Sequence, residues 1–478
     1  MTQNNNFLYN RLKTRKNRDI FFMILAFSIV AIFYLAPNPE GLTHNGQIMI
    51  GILFMAAILW ITEPIPLAVT GLLIMIMQPI LQVIPPAEVF SSFGNQAVFF
   101  LIGAFIIAAA IEKHGLHRRI ALRFLSHFDE NPKMFILGIM VSCAFLSFVM
   151  PAHGVAALFL PIVLSILIAM KVVPKQSNFG KISMIAVAYG CSIGSLGTLI
   201  GGARNLLIVG ILSKELGITV TFIDWMIYSM PIVLISLPIV WLVLQFAFPI
   251  ELKDITRAKN EIKNQVMKAG RISGKEMQVL IILGLTVFMW IFFSNSVYFG
   301  LAVIAIFGAF LLFLAGCVSW KDVENRVPWG IILLYGGAIT LGISIQRTGA
   351  GEWIANKLIQ TAGVNLFVVI LVIIIFTVLL TNIMSNIGAV ALLLPIGIAI
   401  APELNVSPLF TSMIIALAGG LAFMLVVSTP GNAITYSSGY FSTRDLFKAG
   451  VLANIICIII VFTVAIVYWV GVLGLQNI

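Results

Sequence analysis

Residues 381–395 read Thr-Asn-Ile-Met-Ser-Asn-Ile-Gly-Ala-Val-Ala-Leu-Leu-Leu-Pro, a polar, glycine-containing patch inside an apolar run that extends more than a dozen positions to either side. In hydrocarbon such a patch is costly unless it lines a cavity or a site. The same design stands at residues 147–161, Ser-Phe-Val-Met-Pro-Ala-His-Gly-Val-Ala-Ala-Leu-Phe-Leu-Pro. Pro161 and Pro395 lie 234 positions apart, and so do Gly115 of Lys-His-Gly-Leu and Gly349 of Arg-Thr-Gly-Ala. Two landmarks at one offset argue for an internal duplication. In that register Pro151-Ala152-His153 matches Ser385-Asn386-Ile387. Each half carries a second interruption, at 194–205 and at 428–432. One such patch alone is ordinarily explained by small residues that let helices pack closely. Four patches paired by register point instead to the broken helices of a secondary transporter's binding site.

Composition agrees. Of 478 residues, 60% are hydrophobic and 10% charged, which excludes a soluble domain and indicates an integral membrane protein. The net charge of +10 needs no nucleic acid partner, because Lys and Arg gather on cytoplasmic loops of membrane proteins. The four cysteines (Cys143, Cys191, Cys317, Cys457) sit in apolar segments without metal-like spacing, so no zinc site, disulfide framework or cofactor is expected.

The expected fold is an all-α polytopic membrane protein of about eleven spans plus two re-entrant hairpins in an inverted repeat. Residues 1–18 form a basic cytoplasmic tail and 19–250 the first repeat, with a hairpin at 134–170 and a broken span at 182–213. Residues 251–276 form a charged cytoplasmic connector. The second repeat, 277–478, holds a hairpin at 365–401 and a broken span at 408–437. An amphipathic interfacial helix is expected within 112–133, and another at 350–361. With this count the Lys- and Arg-rich segments all fall on one side, together with the N-terminus. The loops 37–45, 85–95, 295–296 and 402–407 on the other side carry no Lys or Arg, and the exceptions there are Lys214, Arg347 and Lys357. The cell membrane is the expected location.

No Asp or Glu stands between Glu130 and Glu215, between Glu352 and Glu403, or between Glu403 and Asp445. The candidate site is therefore free of carboxylates, yet it contains Arg204 and His153. A guanidinium at bilayer depth costs at least ~2.5–3.5 kcal/mol and needs an anionic partner. An anionic substrate, for which the guanidinium fork is suited, would supply it. Half-helix N-termini add positive potential. The expected substrate-binding residues are Ala152, His153, Gly154, Thr198, Gly202, Arg204, Asn205, Ser385, Asn386, Ile387, Gly388, Ser428, Thr429, Pro430 and Asn432. No enzyme is expected, since no paired carboxylates, metal-ligand set or nucleophile with a base is present.

The set Ile61-Thr62-Glu63-Pro64-Ile65-Pro66, Glu112-Lys113-His114-Gly115-Leu116-His117-Arg118-Arg119, Gly197-Thr198-Leu199-Ile200-Gly201, Ser385-Asn386 and Ser428-Thr429-Pro430-Gly431-Asn432-Ala433-Ile434 resembles the divalent anion/sodium symporter family, the INDY-like di- and tricarboxylate carriers. The resemblance implies a homodimer in the lipid bilayer, with a scaffold and a transport domain that moves as an elevator. It also implies a Ser-Asn-Thr motif at each hairpin tip that binds substrate carboxylates and helps to form sodium sites. Here the first tip reads Pro151-Ala152-His153, and Gly202-Ala203-Arg204-Asn205 stands where the family has Thr-Pro-Pro-Asn. The first sodium site is thus expected to lack its side-chain oxygens. The expectation is an exchanger of C4–C5 dicarboxylates (malate, succinate, 2-oxoglutarate) that does without sodium. The alternatives are a sodium-coupled symporter using the second tip, and an anion channel.

Overall fold

The computed structural model describes residues 2–128, 131–296, 298–362 and 365–475, and every regular element among them is helical. Helices begin where the sequence supplies caps. Thr221, Ser273, Ser319 and Ser442 each accept the N–H three residues on, while Asp224, Glu276, Asp322 and Asp445 accept the cap's own N–H in return. Each such cap is worth about 1 kcal/mol.

Nine helices among the described residues are long and apolar enough to cross a membrane, so the chain is a multi-pass membrane protein. The expected spans at 67–84 and 297–317 are shorter, as Leu67–Ile80 and Leu301–Leu314, 14 residues each or about 21 Å. Pro79 and the turn after it end the first of these. Helix Thr2–Leu35 carries the basic N-terminal segment directly into the first span. The amphipathic segments form helices Leu116–Leu125 and Ala350–Ala362; residues 129 and 130 of the first lie outside the described residues. The hairpin legs are Pro132–Leu146 with Ala152–Ala169, and Leu366–Ile383 with Asn386–Ile400. Each hairpin thus pairs a leg of 15 with one of 18 residues, in reversed order.

Contacts at the 234-residue offset recur in space. Helix Gln96–Lys113 packs on Leu301–Leu314, and Leu67–Ile80 packs on Trp329–Arg347. A Cβ on Gly103 would lie 2.5 Å from the Ala305 carbonyl carbon, and one on Gly337 would lie 2.3 Å from the Gly71 oxygen. Both pairs of backbones touch at a spot where only glycine fits. Gly71 and Ala305 are 234 positions apart, as are Gly103 and Gly337, so each contact is the image of the other. Tyr189 and Phe423, again 234 apart, touch each other. Their ring centroids are 4.5 Å apart, and the Tyr189 hydroxyl donates to the Phe423 carbonyl at 2.9 Å. Equivalent residues in mutual contact lie where a two-fold relation between halves would have its axis.

The inter-helix ion pairs sort into two groups. Lys113–Asp322, Arg119–Glu276, Lys181–Asp445 and Arg326–Glu112 join only segments placed on the Lys- and Arg-rich face. Arg347 bonds Glu88 at 2.8 Å and Glu215 at 3.4 Å, all on the opposite face. None of these pairs crosses between the faces.

Candidate functional site

The two hairpin tips and the two helix breaks converge on one cavity of about 470 Å³. At the second tip the chain is extended through Met384 and Ser385 before helix Asn386–Ile400 begins. The Ser385 hydroxyl caps that helix by accepting the Gly388 N–H at 3.2 Å. The Thr381 hydroxyl, one turn back on the incoming leg, is 2.9 Å from Asn386 Oδ1 and 2.7 Å from the Gly419 carbonyl. Asn386 Nδ2 donates to nothing among the described residues. At the first tip Pro151 has no side chain to offer, and the Gly154 N–H donates to the Pro151 carbonyl at 2.9 Å instead. Ala152 stands where Asn386 stands. Ser147, the counterpart of Thr381, has a buried hydroxyl without a partner among the described residues.

The breaks survive because side chains take over the freed backbone groups. In the first, Asn205 Nδ2 donates to the carbonyls of Ser195 (2.9 Å) and Thr198 (2.7 Å). Trp225 and Ser229 donate to Leu196 and Gly197, and Thr198 Oγ1 accepts the Gly201 N–H while donating to Phe148. In the second, Asn432 Nδ2 donates to the carbonyls of Ala422 (3.0 Å) and Leu425 (2.9 Å), and Asn382 Oδ1 accepts the Met424 N–H. Each break is thus braced by one buried asparagine whose Oδ1 has no partner among the described residues.

Arg204 opens helix Ala203–Leu216 and is buried, with 4% of its surface exposed. Its Nε donates to the Ala416 carbonyl at 3.2 Å and one terminal nitrogen donates to Ser195 Oγ at 2.9 Å. The guanidinium lies over two glycines. A Cβ on Gly420 would come within 2.3 Å of it, and one on Gly202 within 2.7 Å. Nη1 makes no hydrogen bond among the described residues. His153 lines the same cavity, half-buried, with no hydrogen bond among the described residues. Among the described residues no acidic side chain lines the cavity. Among the described residues no three His, Cys, Asp or Glu side chains gather as a metal site.

Of the residues expected at the site, Ala152, His153, Gly202, Arg204, Ser385, Asn386, Ile387, Ser428, Thr429 and Pro430 line the cavity. Gly154, Thr198, Asn205, Gly388 and Asn432 lie behind it, where Thr198 and the asparagines hold the breaks in shape. Sequence reasoning missed the facing wall, formed by Pro66, Leu67, Ala68 and Phe105 with Pro328, Gly330, Ile331 and Leu334. Its signal was present in the prolines at 66 and 328, each of which caps the start of a helix. The arrangement can hold a small dianion: a free guanidinium nitrogen, an amide, a hydroxyl and two helix N-termini belong to residues that line one space.

Residues 17–475 match the sodium:sulfate symporter transmembrane region. The chain is 31% identical over 468 residues to the sodium-dependent dicarboxylate transporter SdcS of Staphylococcus saprophyticus, covering 92% of this chain and 90% of that one. To SdcS of Staphylococcus aureus strain USA300 it is 31% identical over 472 residues, covering 93% and 89%. Two solved structures share the fold at low identity. MtrF of Neisseria gonorrhoeae, described within a class of antimetabolite efflux pumps, has a TM-score of 0.57 at 11% identity over 95% of this chain and 94% of its own. The YdaH transporter of Alcanivorax borkumensis has a TM-score of 0.55 at 13% identity over 97% and 99%. The chain therefore belongs to the divalent anion/sodium symporter family of membrane carriers, matching the family's sodium:sulfate symporter region along almost its whole length.

Proposed function

We propose that this chain is a plasma-membrane secondary carrier of C4–C5 dicarboxylates and works as an obligate exchanger without sodium. The observation that carries the reading is the buried Arg204 guanidinium in an acid-free cavity between two polar-tipped hairpins. The relatives' dicarboxylate names give the substrate class. Arg204 holds one carboxylate through its free Nη1, and Ser385 and Asn386 hold the other. Loaded with a dianion, the site is close to neutral. Empty, it keeps a fixed cation whose passage through a low-dielectric barrier is unfavourable. A penalty of ~2.8 kcal/mol slows that return about a hundredfold. Substrate must then be carried in both directions. The hairpins and broken spans would move as one body, as an elevator, against the wall built from Pro66–Ala68 and Pro328–Leu334, with two copies forming the assembly.

A second reading is a sodium-coupled symporter. The oxygens of Thr381, Asn386 and Gly419 gathered at the second tip favour it, since sodium takes oxygen ligands, and the relatives are named sodium-dependent. Uptake of labelled succinate into liposomes decides between them. The exchanger takes up label only when succinate is inside, at equal rates in sodium and choline. Concentrative uptake into empty vesicles down a sodium gradient selects the symporter.

A further inference from the structure

We propose that a second cavity, on the face opposite the basic one, is the port through which dicarboxylate meets the carrier from that side, and that Lys214 lowers the KM on that side alone. The proposal rests on the carrier reading above. The second cavity, of about 430 Å³, is lined among others by Ser91, Gln96, Phe100, Ser213, Lys214 and Leu301. Its wall is the repeat image of the wall across from Arg204. Leu301, Gln96 and Phe100 lie 234 positions from Leu67, Gly330 and Leu334, respectively, and all three of those line the first cavity. An inverted repeat presents the same surface to the substrate site in turn on either face. One helix, Ala203–Leu216, serves both cavities. Arg204 at its start lines the first and Lys214, ten residues and about 15 Å on, lines the second.

The two walls differ in chemistry. Pro328, Gly330, Ile331 and Leu334 offer no polar side chain to the first cavity. The matching wall of the second carries Ser91, Asn95 and Gln96, and helix Ala203–Leu216 adds Ser213 and the Lys214 ammonium, the only charged group in this lining among the described residues. Lys214 has no ion-pair partner among the described residues. The nearby carboxylates Glu88 and Glu215 both bond Arg347, and neither lines this cavity. An exposed cation in a concave mouth that no carboxylate lines among the described residues raises the local concentration of a dianion and speeds its capture, an effect that salt screens.

The experiment uses full-length protein in liposomes, its orientation read by an impermeant thiol label on a cysteine introduced into the exposed 251–276 connector because the native cysteines are buried, with succinate KM measured separately from each face. Lys214→Gln is expected to raise KM about threefold or more on the Lys214 face in low salt. The difference shrinks at about 0.5 M salt, the other face stays unchanged, and Lys214→Arg restores most of the low KM. An equal rise on both faces, or no rise, overturns this inference and leaves the carrier reading standing. Wild-type protein that carries neither succinate nor sulfate overturns both.

Discussion

The two hairpin tips share a backbone register and differ in what they offer a ligand. The second tip is built of side chains: the Ser385 hydroxyl caps its helix, and Thr381 links Asn386 to Gly419. The first has lost that chain. Proline stands at the cap, alanine at the asparagine's place, and the Ser147 hydroxyl is left without a partner among the described residues. The same repeat carries a fixed cation, Arg204, whose guanidinium reaches Ala416 and Ser195 in the room that Gly202 and Gly420 leave. The comparison teaches that a duplicated scaffold can keep its geometry while one half exchanges neutral polar groups for permanent charge.

The largest effect should come from removing that charge. A hydrogen bond to a charged group contributes ~1.5–3 kcal/mol, or roughly ten- to a hundredfold in affinity. Arg204→Ala is therefore expected to raise the succinate KM by at least about tenfold. Arg204→Lys, which keeps charge but loses the fork, should fall between it and wild type. Wild-type KM in both variants would remove Arg204 from the site. The neutral tip should matter less. The double change Ser385→Ala with Asn386→Ala removes two uncharged donors at ~0.5–1.5 kcal/mol each, together ~1–3 kcal/mol, so a rise of at least about fivefold is expected in the same assay, against at least about tenfold for Arg204→Ala. A larger loss at this tip than at Arg204 would invert the comparison.

Much of this was legible in the sequence because membrane burial makes polar residues conspicuous. Ser385-Asn386 and Arg204 stand out from apolar surroundings, and the 234-residue offset appears in two landmarks before any contact is known. What stayed hidden was apolar. Leu67, Phe105, Ile331 and Leu334 look like any other helix residue, and only packing brings them across from the tips. The division of labour among polar residues was hidden too. Asn205 and Asn432 share the type expected of ligands, but their amides brace the breaks.

The smallest expected effect lies far from the tips, on the basic face, and tests whether the charges there hold the structure. Arg119 donates to both Glu276 oxygens at 3.1 and 3.2 Å, and to the carbonyls of Ala269, Gly270 and Arg271, tying helix Leu116–Leu125 to the connector. Burial pushes the Glu276 carboxyl up, but the bonds from Arg119 and from the Ser273 N–H and hydroxyl outweigh it and hold the group below its ordinary value. A depressed carboxyl stabilises the folded chain above the unfolded value of ~4.3, and that contribution is lost as pH falls through the folded value. Glu276→Gln should thus cost about 1–3 kcal/mol at pH 7. Melting of both proteins in detergent between pH 7 and pH 3 measures it. The gap between them should be constant down to about pH 5 and close in acid. A gap that widens in acid reverses the sign and would mean that burial, not Arg119, governs this carboxyl. Succinate exchange by Glu276→Gln at wild-type KM would mark the basic face as holding the fold, with ligand recognition left to the tips.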